Sequence, residues 1–113
     1  MKEAATDSPP AETLEPCCTL AITGAEQDRF VEMLRAAGSP VRFEILKFLV
    51  THAGCITGDV VKALPIAQAT VSQHLKRLRE AGWIDARPEG PATCHHLNVE
   101  NVAWFRRWVG EIF

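Results

Sequence analysis

Apolar positions recur every three or four residues through four successive stretches of the chain, and then the period shortens to two. Phe30, Val31, Leu34 and Ala37 mark a first helix from about Ala25 to Ala37, which Gly38 ends. Ser39 is a good N-cap and Pro40 suits the first helical position, so a second helix follows at once. Its stripe is Val41, Phe43, Ile45, Leu46, Leu49 and Val50, and it ends near residues 52–54. A short third helix covers Thr57 to about Leu64, where Pro65 closes it. The fourth runs from Gln68 to Ala81, with Val71, Leu75 and Leu78 as its buried stripe and Gly82 as its stop.

After Gly82 the pattern is that of a hairpin: a strand over Trp83–Arg87, a turn over Pro88–Pro91 and a returning strand over Thr93–Asn98. A last helix spans about Glu100 to Ile112, with Val102, Phe105, Trp108, Val109 and Ile112 apolar. A short helix, a tight Pro-containing turn and a longer polar-faced helix make a helix-turn-helix, and the hairpin behind it is a wing. The expected fold is therefore mainly α: a winged helix-turn-helix of five helices and a two-stranded hairpin. Residues 1–16, rich in Pro, Ala, Glu and Thr, read as a disordered tail, and residues 17–113 as one domain.

The 113 residues suffice for one domain of ordinary soluble composition, 47% hydrophobic and 23% charged. No apolar run is long enough for a transmembrane helix and no leader pattern opens the chain, so the expected location is cytoplasmic, with no membrane partner. A domain this small gains from oligomerisation. The terminal helices are more apolar than one small core needs, so a homodimer built on them is expected. Trp83 is expected on the core, and Trp104 and Trp108 in the core or between subunits.

A net charge of −2 argues mildly against nucleic acid only when averaged. The acids gather early (Glu3, Asp7, Glu12, Glu15, Glu26, Asp28, Glu32), whereas Lys76, Arg77, Arg79, Arg87, Arg106 and Arg107 come later. DNA responds to the local field of one face. The fourth helix offers Gln68, Thr70, Ser72, Gln73, His74 and Lys76 outward or on its flanks. Such side chains bond base edges and phosphates, and Lys76, Arg77, Arg79 and the wing's Arg87 can neutralise phosphates. Double-stranded operator DNA is the expected partner. Taken alone, the same helix also reads as an amphipathic one with a solvated face.

Four cysteines remain: Cys17, Cys18, Cys55 and Cys94. In a reducing compartment they are thiols rather than a disulfide framework. Adjacent Cys17 and Cys18 pair poorly with each other and read better as two ligands offered from one segment. Cys55 also fits as a small buried hydrophobe. Cys94 reads as a strand filler, or else as a fourth soft ligand or a second thiol site, with alternation placing it and His96 on one face and His95 on the other.

The stretch from Gln68 to Ile84 (QATVSQHLKRLREAGWI) resembles the recognition helix of the ArsR family of metalloregulatory repressors. Leu34–Leu46 (LRAAGSPVRFEIL) is similar to the family's segment ahead of it, and Arg87-Pro88-Glu89-Gly90 to its wing motif. The resemblance covers about Ala25 to Phe113. It implies a dimeric repressor that an ion releases from its operator. Ala67 stands where the family often has a Ser cap, a loss of about 1 kcal/mol. The Cys-x-Cys pair of the best-known arsenic sensors is absent, with Ile56 and Gly58 in those places, and the last helix carries Glu100 and Glu111 but no histidine. Cys17, Cys18 and Cys55 instead resemble a subgroup of arsenic repressors with a Cys-Cys pair ahead of the first helix.

That resemblance implies As(III) or Sb(III) as inducer, or a related thiophilic ion, because three thiolates suit a soft pyramidal centre. Cd(II) and Pb(II) accept the same sulfurs, usually with a fourth ligand. No organic cofactor is expected. Two other functions compete: a repressor that senses redox state through a disulfide, and a cytosolic arsenic-binding chaperone or enzyme. Against an enzyme, the sequence has no phosphate-cradling Gly-rich loop and no nucleophile elbow.

Overall fold

A computed structural model describes residues 15–113; the expected tail, up to residue 14, lies outside the described residues. Residues 15–23 form neither helix nor strand. The elements that follow are α1 (Gly24–Ala37), α2 (Pro40–Thr51), β1 (Cys55–Ile56), α3 (Thr57–Ala63), α4 (Gln68–Ala81), β2 (Ile84–Glu89), β3 (Ala92–Leu97) and α5 (Val99–Ile112). This is the winged helix-turn-helix read from the sequence, with one correction. The sheet has three antiparallel strands in the order β1-β3-β2, because Cys55 and Ile56 pair with His95 and Cys94. A two-residue strand carries no periodicity, so only the pairing across the fold reveals it.

Local chemistry explains the helix ends. The Ser39 hydroxyl accepts from the Arg42 amide at 3.3 Å, and Asn98 Oδ1 accepts from the Asn101 amide at 2.9 Å, so α2 and α5 each start on a side-chain cap. Asp59 Oδ2 accepts from the Ile56 amide at 2.9 Å at the start of α3. Ala67 gives α4 no side-chain cap. Gly82 ends α4 in the left-handed region at φ +99°, which lets the chain turn directly into the wing.

Ile45, Leu46, Leu49, Val60, Val71, Leu75, Leu78 and Ile84 form the main core where α2, α3 and α4 meet the sheet. The expected stripe of α4 is buried as read. The stripe of α1 is buried only in part. Phe30, Met33 and Ala36 are buried, whereas Val31 and Leu34 are exposed. The helix is rotated because it packs against both α4 and α5. In α2, Phe43 and Val50 are likewise exposed, and they edge an apolar cleft of about 280 Å³ with Leu46, Trp83, Leu97 and Val102.

The apolar terminal helices are partly consumed within one chain. Ile22, Phe30 and Trp108 make a second core with Trp104, Phe105, Val109 and Ile112. Phe30 stacks on Phe105 at 4.8 Å between centroids, and the Arg29 guanidinium lies 3.8 Å above the Trp104 ring. Trp83 is half-buried, packs on Phe105 and donates its indole N–H to the Met33 carbonyl at 2.7 Å, pinning the root of the wing to α1.

Candidate DNA-reading face and thiol site

The helix pair α3 and α4 is joined by Leu64–Ala67, with Pro65 preventing α3 from continuing. The core stripe sets the rotation of α4. With Val71, Leu75, Leu78 and Ala81 inward, Gln68, Thr70, Ser72, Gln73, Lys76 and Arg79 are exposed. Arg87 is exposed on β2, 3.8 Å from Asp85, ahead of the Gly90 turn at φ +61°. Seven of the eight residues expected at DNA thus stand on the surface of two adjoining elements.

His74, the eighth, is half-buried, and its Nδ1 lies 3.3 Å from Arg42 Nη1. Burial and then the Arg42 charge hold its pKa below the ordinary histidine range. Arg77 is engaged elsewhere. It donates to Glu32 of α1 at 3.0 Å, in a pair too exposed to add much stability but placed to steady α4 on α1. Arg42 is the residue that sequence reasoning missed. Its signal was weak, since α2 also carries Glu44 and Lys47, and only its place next to the apolar stripe sets Arg42 apart.

The thiols divide into two places. Cys17 and Cys18 are exposed ahead of α1, their sulfurs 3.8 Å apart. Cys55 is buried on β1 and lines a cleft of about 560 Å³ with Phe48, His52, Gly54 and Asp59. Burial, and then the Asp59 charge, push the Cys55 thiol pKa up. Among the described residues of one chain, no three Cys, His, Asp or Glu side chains converge as a metal site.

Cys94 is buried on β3, and burial followed by Glu89 raises its pKa. Cys55 lies opposite His95 and Cys94 opposite Ile56, so the pleat sends the two thiols to opposite faces of the β1–β3 ladder. The alternation read for β3 does not translate into one open face, because Cys94 and His95 are both buried on this central strand. His95 Nε2 meets Thr57 Oγ1 at 3.0 Å, while its Nδ1 has no partner among the described residues.

A helix-turn-helix whose second helix turns a polar face outward, followed by a wing that exposes an arginine, defines a winged helix-turn-helix DNA-binding module. Residues 39–86 match the family model "Bacterial regulatory protein, arsR family". The chain is 32% identical over 96 residues to the HTH-type transcriptional repressor SmtB of Mycobacterium tuberculosis, covering 83% of this chain and 70% of that protein. Among solved structures, one described as a possible transcriptional regulator for arsenical resistance superposes with a TM-score of 0.63 at 25% identity, over 70% of this chain and 81% of that one. The homodimeric winged helix-turn-helix domain of a possible ArsR-family regulator from Mycobacterium bovis gives 0.64 at 22% identity, over 80% and 84%. The chain belongs to the ArsR family and is a DNA-binding transcriptional regulator rather than an enzyme. No helix among the described residues is long and apolar enough to cross a membrane.

Proposed function

We propose that this regulator is a homodimeric repressor released from its operator when As(III) or Sb(III) binds Cys17, Cys18 and Cys55. The observation that carries the reading is the exposed pair of adjacent thiols ahead of α1, with a third thiol at a cleft leading into the helix-turn-helix. A soft ion that prefers sulfur to oxygen or imidazole draws such thiols together. Binding then fastens the segment before α1 to the start of α3, in the same or the partner subunit, and shifts the separation of the two reading helices.

The chemistry balances without net proton release. Each S–As bond replaces an As–OH bond of arsenous acid, and the thiol proton leaves with that hydroxide as water. A raised Cys55 pKa therefore does not block binding at neutral pH. The likeness to a repressor and to a structure described in terms of arsenical resistance supports the reading. Dimerisation is supported by Leu20, ahead of α1, and by Val31 and Leu34 on α1, all left exposed. The Mycobacterium bovis domain is itself described as homodimeric.

The test is titration of the fully reduced protein, bound to an operator selected from random DNA, with As(III), Sb(III), Cd(II) and Zn(II). Release by As(III) and Sb(III) is expected. Cys17→Ser, Cys18→Ser and Cys55→Ser should each bind the operator and fail to release it, whereas Cys94→Ser should behave as the parent. Release by oxidant alone would make the protein a redox sensor. A Cys94→Ser protein that no longer responds, beside a Cys17→Ser protein that does, would move the site to the wing.

A further inference from the structure

Arg42 reaches from α2 to two other helices. Its Nε–H donates to the Ala36 carbonyl near the end of α1 at 2.7 Å, and Nη1 lies 3.3 Å from His74 Nδ1 on α4. A guanidinium has donors only and keeps its charge, so Nδ1 of His74 must be the acceptor. A neutral imidazole that accepts through Nδ1 carries its one proton on Nε2. The anchor at Ala36 holds the guanidinium in place, since Arg42 is tied at both ends of its fork.

We propose that Arg42 is a specificity-determining positioning residue, which holds His74 as an Nε2–H donor so that α4 reads a hydrogen-bond acceptor on a base edge. The inference rests on α4 being the DNA-reading helix. In the major groove guanine shows two acceptors, O6 and N7, and no donor, whereas cytosine shows only its amino donor. A histidine fixed as donor favours guanine over cytosine at the base pair it meets. Without Arg42 the ring is free to take either tautomer, and with Nε2 as an acceptor it also tolerates the amino groups of cytosine and adenine. The chain thereby uses a residue outside the reading helix to decide what that helix reads.

The tautomer is measured first, by nitrogen-15 NMR of the full chain above pH 7. The parent should show an unprotonated Nδ1 and a protonated Nε2 at His74; a protonated Nδ1 in the parent overturns the proposal without any variant. Base preference is then measured by competition between the selected operator and single-base changes. Arg42→Met and His74→Ala should each lose about tenfold of the guanine preference at the same base pair, within the range one good base contact supplies. The double variant should lose no more than either alone, and Arg42→Lys, which can still donate to Nδ1, should recover part of the loss. Gln73→Ala should change the preference at a different base pair. Retained preference in Arg42→Met beside a loss in His74→Ala overturns the role of Arg42. Uniform weakening on all sequences by both variants would make His74 a phosphate contact and also overturn it. If Gln73→Ala and His74→Ala both leave preference untouched, α4 is not the reader and the proposal falls with that assignment.

Discussion

Gly82→Ala should destabilise the protein far more than the loss of one hydrogen atom suggests. Gly82 joins the reading helix to the wing at φ +99°, a conformation that costs an L-residue about 1–2 kcal/mol. An added Cβ would also stand 3.1 Å from Asn101 Nδ2. That amide donates to the Gly82 carbonyl at 3.0 Å, while Asn101 Oδ1 accepts from Arg29 at 2.6 Å, so it cannot retreat without breaking one of its bonds. Losing one such bond adds about 1 kcal/mol, for a total of roughly 2–3 kcal/mol. In a domain of this size that lowers the melting temperature by about 10 °C or more. The measurement is a thermal melt at fixed protein concentration, since dimerisation would make the midpoint concentration-dependent. Gly58→Ala supplies the control: its Cβ would meet only Ile56 Cδ1 at 3.9 Å inside α3, so it should stabilise by about 0.5 kcal/mol. A Gly82→Ala midpoint within about 2 °C of the parent would refute both the backbone argument and the contact with Asn101.

Three further outcomes are expected. Burial, then Arg79 and His96, hold the His95 pKa below 6.5, and a proton on Nδ1 would find no acceptor. The unfolded chain therefore binds the proton more readily, and stability present above pH 6.5 should fall as the pH drops below it; urea midpoints unchanged down to pH 5 would contradict this. Arg79→Ala and Arg87→Ala should weaken binding to all DNA sequences alike and each reduce the salt slope by about one, as measured by titrations at several salt concentrations. Ala67→Ser should stabilise the uncapped α4 by about 1 kcal/mol, its hydroxyl accepting from an amide of the first turn, seen as a higher denaturation midpoint.

The bounds of α4 were legible in the sequence, Gln68 to Ala81, because a regular apolar stripe and a terminal glycine act locally. The hairpin was legible for a similar reason, since proline and glycine break the strands where they stand. Its ends moved by one or two residues, and Pro88 fell inside β2 rather than in the turn. The apolar positions of α1 divide between its own core and its surface. Helical spacing says which residues lie together but not which of two adjoining stripes meets a neighbour, and packing on α5 as well as α4 chose Met33 and Ala36 over Leu34 and Ala37.

The chain's own pattern thus determined the winged helix-turn-helix, the surface that α4 shows and the presence of spare thiols, since each depends on residues close in sequence. Tertiary structure alone decided what depends on distant partners. It placed Cys55 on a strand opposite His95, 40 residues on in the sequence, and sent Cys94 to the other face. It paired Arg77 with Glu32 of α1, 45 residues away in the sequence. It also set Arg42 against His74, 32 residues away. Periodicity records burial averaged along one element, whereas hydrogen bonds and charge pairs between elements leave no period, so those contacts emerge only once the helices have packed.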